Sequence, residues 1–181
     1  SRTADVTFVA GTGTPGNGVV TGNGAVANGT DTVTVTFPVT DANGNPAPGQ
    51  TVDITITYPD GTTDTQQVVT DENGNATVDV DSTQAGTVTV EASAGGGTGS
   101  ADAEFVADAS TATLADGSVV PVDNNAVADG TATNSVRATV TDANGNPVAG
   151  VEVAFAADNG ATIAATGTTD ANGQVLQTLT N

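Results

Sequence analysis

Residues 25–56 read AVANGTDTVTVTFPVTDANGNPAPGQTVDITI, and two signals alternate within them. Val33, Val35, Phe37 and Val39 fall on one side of an extended chain, with Thr34, Thr36 and Pro38 on the other. Val52, Ile54 and Ile56 repeat that period of two. Between the runs stands TDANGN, and Asn-Gly tolerates the positive φ that tight turns require. The stretch therefore reads as two half-buried antiparallel strands joined by a corner.

Working outward, the same alternation appears at Val78 and Val80, at Val88 and Val90, at Val136, Ala138 and Val140, and at Val151, Val153 and Phe155. Further Asn-Gly pairs begin at Asn17, Asn23, Asn28, Asn73, Asn144, Asn159 and Asn172. No stretch carries an apolar stripe of helical period, so the chain is all-β. The corner phrase itself recurs: TDANGNPAPG at Thr40, TDENGNATV at Thr70, TDANGNPVAG at Thr141 and TDANGQVLQ at Thr169. The first and third copies, like the second and fourth, stand about a hundred residues apart, which is the size of one small domain.

Short strands at this spacing predict tandem immunoglobulin-like β-sandwiches, antiparallel and of about seven strands each. In the first module the strands are expected near 19–27, 32–40, 50–57, 63–70, 76–80, 87–93 and 101–107, with a loop over 94–100. The second module repeats this pattern to Asn181 without counterparts of Thr83–Ala107, so it is expected to be incomplete. ADVTFVA at 4–10 matches ADAEFVA at 101–107 and looks like the last strand of a preceding module. The expected division is a terminal strand over 1–10, one domain over 11–107 and a second over 108–181.

Composition limits what such modules do. Twenty-one acidic residues stand against Arg2 and Arg137, for a net charge of −19. Nucleic-acid binding is excluded, because neutralising phosphates needs clustered Lys or Arg. No apolar run is long enough to insert in a membrane. His, Cys and Lys are absent, which removes the usual base for a serine nucleophile, the Schiff base and the ordinary zinc ligands. The chain reads as no enzyme. GTGTPG at 11–16 satisfies a G-x-G-x-x-G pattern, but no helix follows to face a pyrophosphate, so it reads as a flexible connection between modules. Asn28-Gly-Thr and Asn75-Ala-Thr match the glycosylation triplet and sit in turns.

The Asp-x-Asn-Gly-Asn phrase sets oxygen ligands at alternating positions, as calcium loops do. Its Gly stands fourth rather than sixth, and no Glu stands twelfth, so each phrase alone reads as a corner whose Asp bonds nearby amides. The sharper candidate is an inter-domain calcium site at Asp108, Asp142 and Asp170, which the strand order brings to one end of the second module. Calcium is the one cofactor the sequence suggests.

The stretch over 25–56, its repeat AVADGTATNSVRATVTDANGNPVAGVEVAF at 126–155, and TTDANGQVLQTLT at 168–180 resemble the group 1 bacterial immunoglobulin-like domains of intimin- and invasin-type adhesins. The resemblance covers the chain outside its terminal strand. It implies structural stalk repeats of an extracellular, bacterial cell-surface adhesin, acting as an extended spacer for cell adhesion. The partners it implies are neighbouring Ig-like modules of the same or identical chains, with a host or surface receptor met only through a tip outside these residues. The alternative is a subunit of an extracellular fibre or surface layer, assembled by strand addition between chains through the out-of-phase ends.

Overall fold

The computed structural model describes Ala4, Thr7 and residues 9–181. The expected terminal strand, carried by Val6 and Phe8, lies outside the described residues. The chain divides into two compact units, Ser1–Val106 and Ala107–Asn181, with the seam one residue before the expected 107/108.

In the first unit, the strand expected over 19–27 is two short pieces, β2 (Val19–Thr21) and β3 (Ala25–Val26), and a further short strand, β1 (Thr14–Pro15), precedes them. β1 and β2 pair antiparallel with β4 (Thr32–Thr40). β3 instead runs parallel to β9 (Gly97–Val106), in the opposite sheet. Glycine makes this crossing possible. A Cβ on Gly18 would lie 2.8 Å from Val35 and 2.9 Å from both Phe37 and Ala101, so only a bare backbone passes there. The Gly16 N–H bonds to the Pro38 carbonyl at 2.8 Å, and the Gly18 N–H to the Ser100 carbonyl at 3.1 Å. GTGTPG is therefore part of the sandwich wall and not a flexible connection. Gln50 holds Gly13 at both ends: its Oε1 accepts the Gly13 N–H at 2.7 Å, and its Nε2 donates to the Gly13 carbonyl at 2.6 Å.

β4 is the strand of the opening phrase, with Val33, Val35, Phe37 and Val39 buried. The remaining strands are β5 (Thr51–Thr57), β6 (Thr63–Val69), β7 (Asn75–Asp81) and β8 (Gly86–Ala94). β7 pairs with β4 on the side away from β1 and β2, and the facing sheet runs β3-β9-β8-β5-β6. The expected 94–100 loop is a two-residue turn at Gly95 and Gly96 (φ +58° and +82°), with Gly97 and Gly99 inside β9. Those two glycines are strand residues because the backbone and side chains of 14–16 lie against them, where a Cβ would collide. The core packs Phe37, Ile54, Ile56 and Phe105 among valines and alanines from both sheets.

The second unit begins with a 3-10 turn at Ala109–Thr111. One sheet follows the order β10 (Thr113–Asp123), β11 (Thr133–Thr141), β15 (Gln174–Thr180) and β13 (Thr162–Ile163). The facing pair is β12 (Glu152–Ala154) with β14 (Thr166–Thr168). β10 pairs with β11 at both of its ends, with register shifts between Leu114 and Val119 and between Pro121 and Asp123. Its core is Ala138, Val140, Val148, Val153 and Val175, with Phe155 half-buried beside it. Among the described residues, no helix is long and apolar enough to cross a membrane.

On the exposed faces of the first unit, acids meet hydroxyl and amide donors across strands. Thr34 donates to Asp79 at 2.6 Å, Thr87 to Glu104 at 2.7 Å, Thr89 to Asp102 at 2.9 Å and Gln67 to Asp53 at 2.7 Å. In a chain without lysine, these pairs do what cross-strand ion pairs do elsewhere.

Candidate functional site at the Asp-Asn-Gly corners

All four corner phrases fold into one five-residue loop. The Asp N–H donates to the carbonyl four residues on: Asp41 to Asn45 (2.9 Å), Asp71 to Asn75 (2.9 Å), Asp142 to Asn146 (2.9 Å) and Asp170 to Gln174 (2.8 Å). The glycine N–H returns to the Asp carbonyl, from Gly44, Gly74, Gly145 and Gly173, at 2.9–3.1 Å. Each Asp Oδ1 accepts two further backbone amides, two and four residues ahead, at 2.8–3.0 Å. The glycines sit at φ between +67° and +86°, a region a β-carbon disfavours. The phrase is thus an Asx-type turn closed by its own carboxylate.

Within each unit the two corners stack. The Gly74 carbonyl accepts the Val39 N–H, and the Gly173 carbonyl accepts the Val140 N–H, both at 2.8 Å. A buried threonine before the second Asp binds the pair together. Thr70 Oγ1 donates to the Ala47 carbonyl (2.6 Å) and accepts the Gln50 N–H (2.8 Å). Thr169 Oγ1 likewise donates to the Val148 carbonyl (2.8 Å) and accepts the Val151 N–H (2.9 Å). Sequence reasoning missed both threonines; their signal was the Thr-Asp pair that opens every copy.

The two corners then differ in what the second carboxylate oxygen does. Asp41 Oδ2 accepts the Gly11 N–H at 3.1 Å and the Asn45 Nδ2–H at 3.1 Å. Asp142 Oδ2 accepts the Asp108 N–H at 3.0 Å and the Asn146 Nδ2–H at 2.9 Å. The Asn45 side chain, then its backbone amide and that of Gly11, hold the Asp41 carboxyl down to about 2. Burial pushes the Asp142 carboxyl up; Asn146, Asp108 and Asn144 outweigh it and leave it below the ordinary carboxylate range. Asp170 is lowered chiefly by the Gln174 amide.

Of the expected calcium ligands, Asp108 and Asp142 are neighbours, but through an amide. Asp108 Oδ1 is turned to the Ser110 N–H (3.0 Å) and hydroxyl (2.5 Å), and Asp170 is held by Asn172 and Gln174 of its own loop. Among the described residues, no group of three or more acidic side chains gathers to hold a metal ion. Asp142 thus accepts donors on both carboxylate oxygens, and Asp108 and Asp170 accept theirs on Oδ1. At the glycosylation triplet, Asn28 Oδ1 accepts the amides of Thr30 and Asp31, each at 2.9 Å, and so caps a turn.

Residues 16–106 and 116–181 match the family described as bacterial Ig-like domain (group 1). The chain is 34% identical over 142 residues to the inverse autotransporter adhesin YeeJ of Escherichia coli (strain K12), covering 75% of this chain and 6% of that protein. Among solved structures, invasin, a bacterial integrin-binding protein, is 28% identical, covering 91% of this chain and 33% of its own with a TM-score of 0.45. The D0-D1 domain of intimin is 24% identical, covering 92% and 85% with a TM-score of 0.47. This chain belongs to the group 1 bacterial Ig-like domains, a non-enzymatic family, and contains two of them in tandem.

Proposed function

We propose that the chain is a run of spacer repeats in the stalk of a bacterial cell-surface adhesin, located outside the cell. The observation that carries this reading is the repetition of one module, corners included. The adhesin relative supports it, and this chain spans only a small part of that protein's length. Its partners on this reading are neighbouring modules of the same chain, and a host or surface receptor is met elsewhere in the protein. The exposed acid–hydroxyl pairs suit a spacer, since like-charged faces and charged strand edges resist sticking.

The test is replacement. Exchanging residues 11–181 in the parent adhesin for two unrelated Ig-like modules of equal length should preserve attachment of cells to their target surface. Competition for that surface by the isolated chain would instead make it a receptor-binding module. Mass that grows with concentration in light scattering would favour the fibre alternative.

A further inference from the structure

Asn-Gly pairs carry a reaction of their own. The glycine nitrogen, once deprotonated, can attack the asparagine side-chain carbonyl and close a cyclic imide. An N–H bonded to an acceptor is withheld from base, so closure there waits on local opening, as hydrogen exchange does. The chain holds eight such pairs, and the fold treats one of them differently.

Seven of the glycine amides are bonded. Those of the four corners return to their Asp carbonyls. Gly18 donates to the Ser100 carbonyl, Gly24 to that of Glu104 at 2.8 Å and Gly29 to that of Ser82 at 3.0 Å. The remaining pair is Asn159 and Gly160, both exposed, and the Gly160 N–H meets no acceptor among the described residues. Asn159 also sits at φ +54°, where a side chain is disfavoured. Asn125 shares that conformation at φ +70°, but the N–H that follows it, from Ala126, bonds to Asn134 Oδ1 at 2.9 Å.

The strands explain the difference. In the first module, β5 runs to Thr57 between β6 and β8, and in the turn beyond it the Gly61 N–H bonds to the Tyr58 carbonyl at 2.9 Å. In the second, β12 ends at Ala154 and pairs with β14 alone. The backbone bond that closes residues 158–161 runs from the Ala161 N–H to the Asp158 carbonyl at 3.1 Å and leaves Gly160 out.

We propose that Asn159 and Gly160 form a self-modification site, at which the folded chain deamidates first with water as the only co-reactant. Hydroxide removes the Gly160 amide proton, and the nitrogen attacks Asn159 Cγ. A new C–N bond forms, the Cγ–Nδ2 bond breaks, and ammonia leaves with a proton from water. Water then opens the imide at either carbonyl. The products are aspartate and, with the backbone rerouted through the side chain, isoaspartate. Either one adds a negative charge to the loop. The site does not depend on the spacer reading.

The test holds the whole chain folded, at mildly alkaline pH and below its first melting transition, and weighs its proteolytic peptides over time. Asn159 should gain the mass of an amide-to-acid exchange at least about tenfold sooner than any corner asparagine, whose glycine must first shed a hydrogen bond. Electron-transfer fragmentation should find isoaspartate among the products, since direct hydrolysis yields aspartate alone. In urea, all the Asn-Gly pairs should convert at similar rates. Asn159→Gln, whose longer side chain closes the ring slowly, should remove the early event and leave the other pairs unchanged. The proposal is overturned if another pair converts first, if all convert together in the folded chain, or if Asn159 stays intact under conditions that convert it in urea. Aspartate without isoaspartate at this position overturns it as well.

Discussion

Gly44 and Gly74 occupy the same position in two copies of one loop, and they should not respond alike to alanine. Both sit in the left-handed region, at φ +82° and +76°. A Cβ on Gly44 meets open space, so Gly44→Ala should cost about 1 kcal/mol of backbone strain. A Cβ on Gly74 would lie 2.8 Å from the Val39 carbonyl and from the Ala47 N–H, so Gly74→Ala should cost about 3 kcal/mol as overpacking adds to strain. Urea unfolding measures both, and equal costs would refute the stacking of corners. Asp41 gives a second expectation. Its folded pKa lies at about 2 against an ordinary 3.8, so its contribution is complete above the ordinary value and is lost as pH falls through the folded one. Between pH 4 and 2 the parent chain should lose first-module stability more steeply than Asp41→Asn, followed by circular dichroism melts at each pH. The loop was legible in the sequence because Asp, Asn and Gly carry its chemistry in their side chains and dihedrals. The capture of Gly11 and Asp108 was not, since a backbone N–H leaves no mark on residue identity.

At the scale of strands, alternation and Asn-Gly corners located β4, β5 and β7 through their own side chains. Two misreadings share one cause. The expected strand over 19–27 is broken where Gly22 and Gly24 turn at φ +79° and +85°, and the expected 94–100 loop is mostly strand. In both places glycine serves either a turn or a close backbone approach, and composition alone does not say which. The first pass of chain over Gly97 and Gly99 decides the matter, and that contact spans most of the module. Gln50 fixes this pass by bonding both ends of Gly13. Gln50→Ala should therefore cost about 2 kcal/mol, two neutral hydrogen bonds' worth. Exchange at the amides flanking β1, those of Gly13 and Gly16, should rise ahead of those in β8. Uniform destabilisation without selective loss at those two amides would show that Gln50 acts only through general packing.

The whole molecule joins two modules of unequal strength. The first core has Phe37, Ile54, Ile56 and Phe105 closed between two sheets, while the second rests on Ala138, Val140, Val148, Val153 and Val175. Apolar burial contributes about 25 cal/mol per Å², so replacing aromatic and isoleucine side chains by alanine and valine lowers the driving force directly. Polar substitution adds to this: Gln177 of β15 faces Val136 of β11, where Val78 faces Val35 in the first module. Calorimetry should accordingly record two transitions, with the second module melting first. Phe37→Ala should lower only the later transition, and Val140→Ala only the earlier one. A single transition responding equally to both substitutions would mean the modules fold as one unit. Calcium enters the same experiment. Both carboxylate oxygens of Asp142 and the Oδ1 atoms of Asp108 and Asp170 accept N–H or hydroxyl donors, and the described acidic side chains form no group of three that could hold a metal ion. Millimolar calcium should therefore shift neither transition beyond a magnesium control of equal ionic strength. A ligand that binds the folded state raises its melting temperature by mass action. A calcium-specific rise in the earlier transition, reversed by chelator and lost in Asp142→Asn, would establish a cation at the second module's corners and replace the amide clamp as the account of its order.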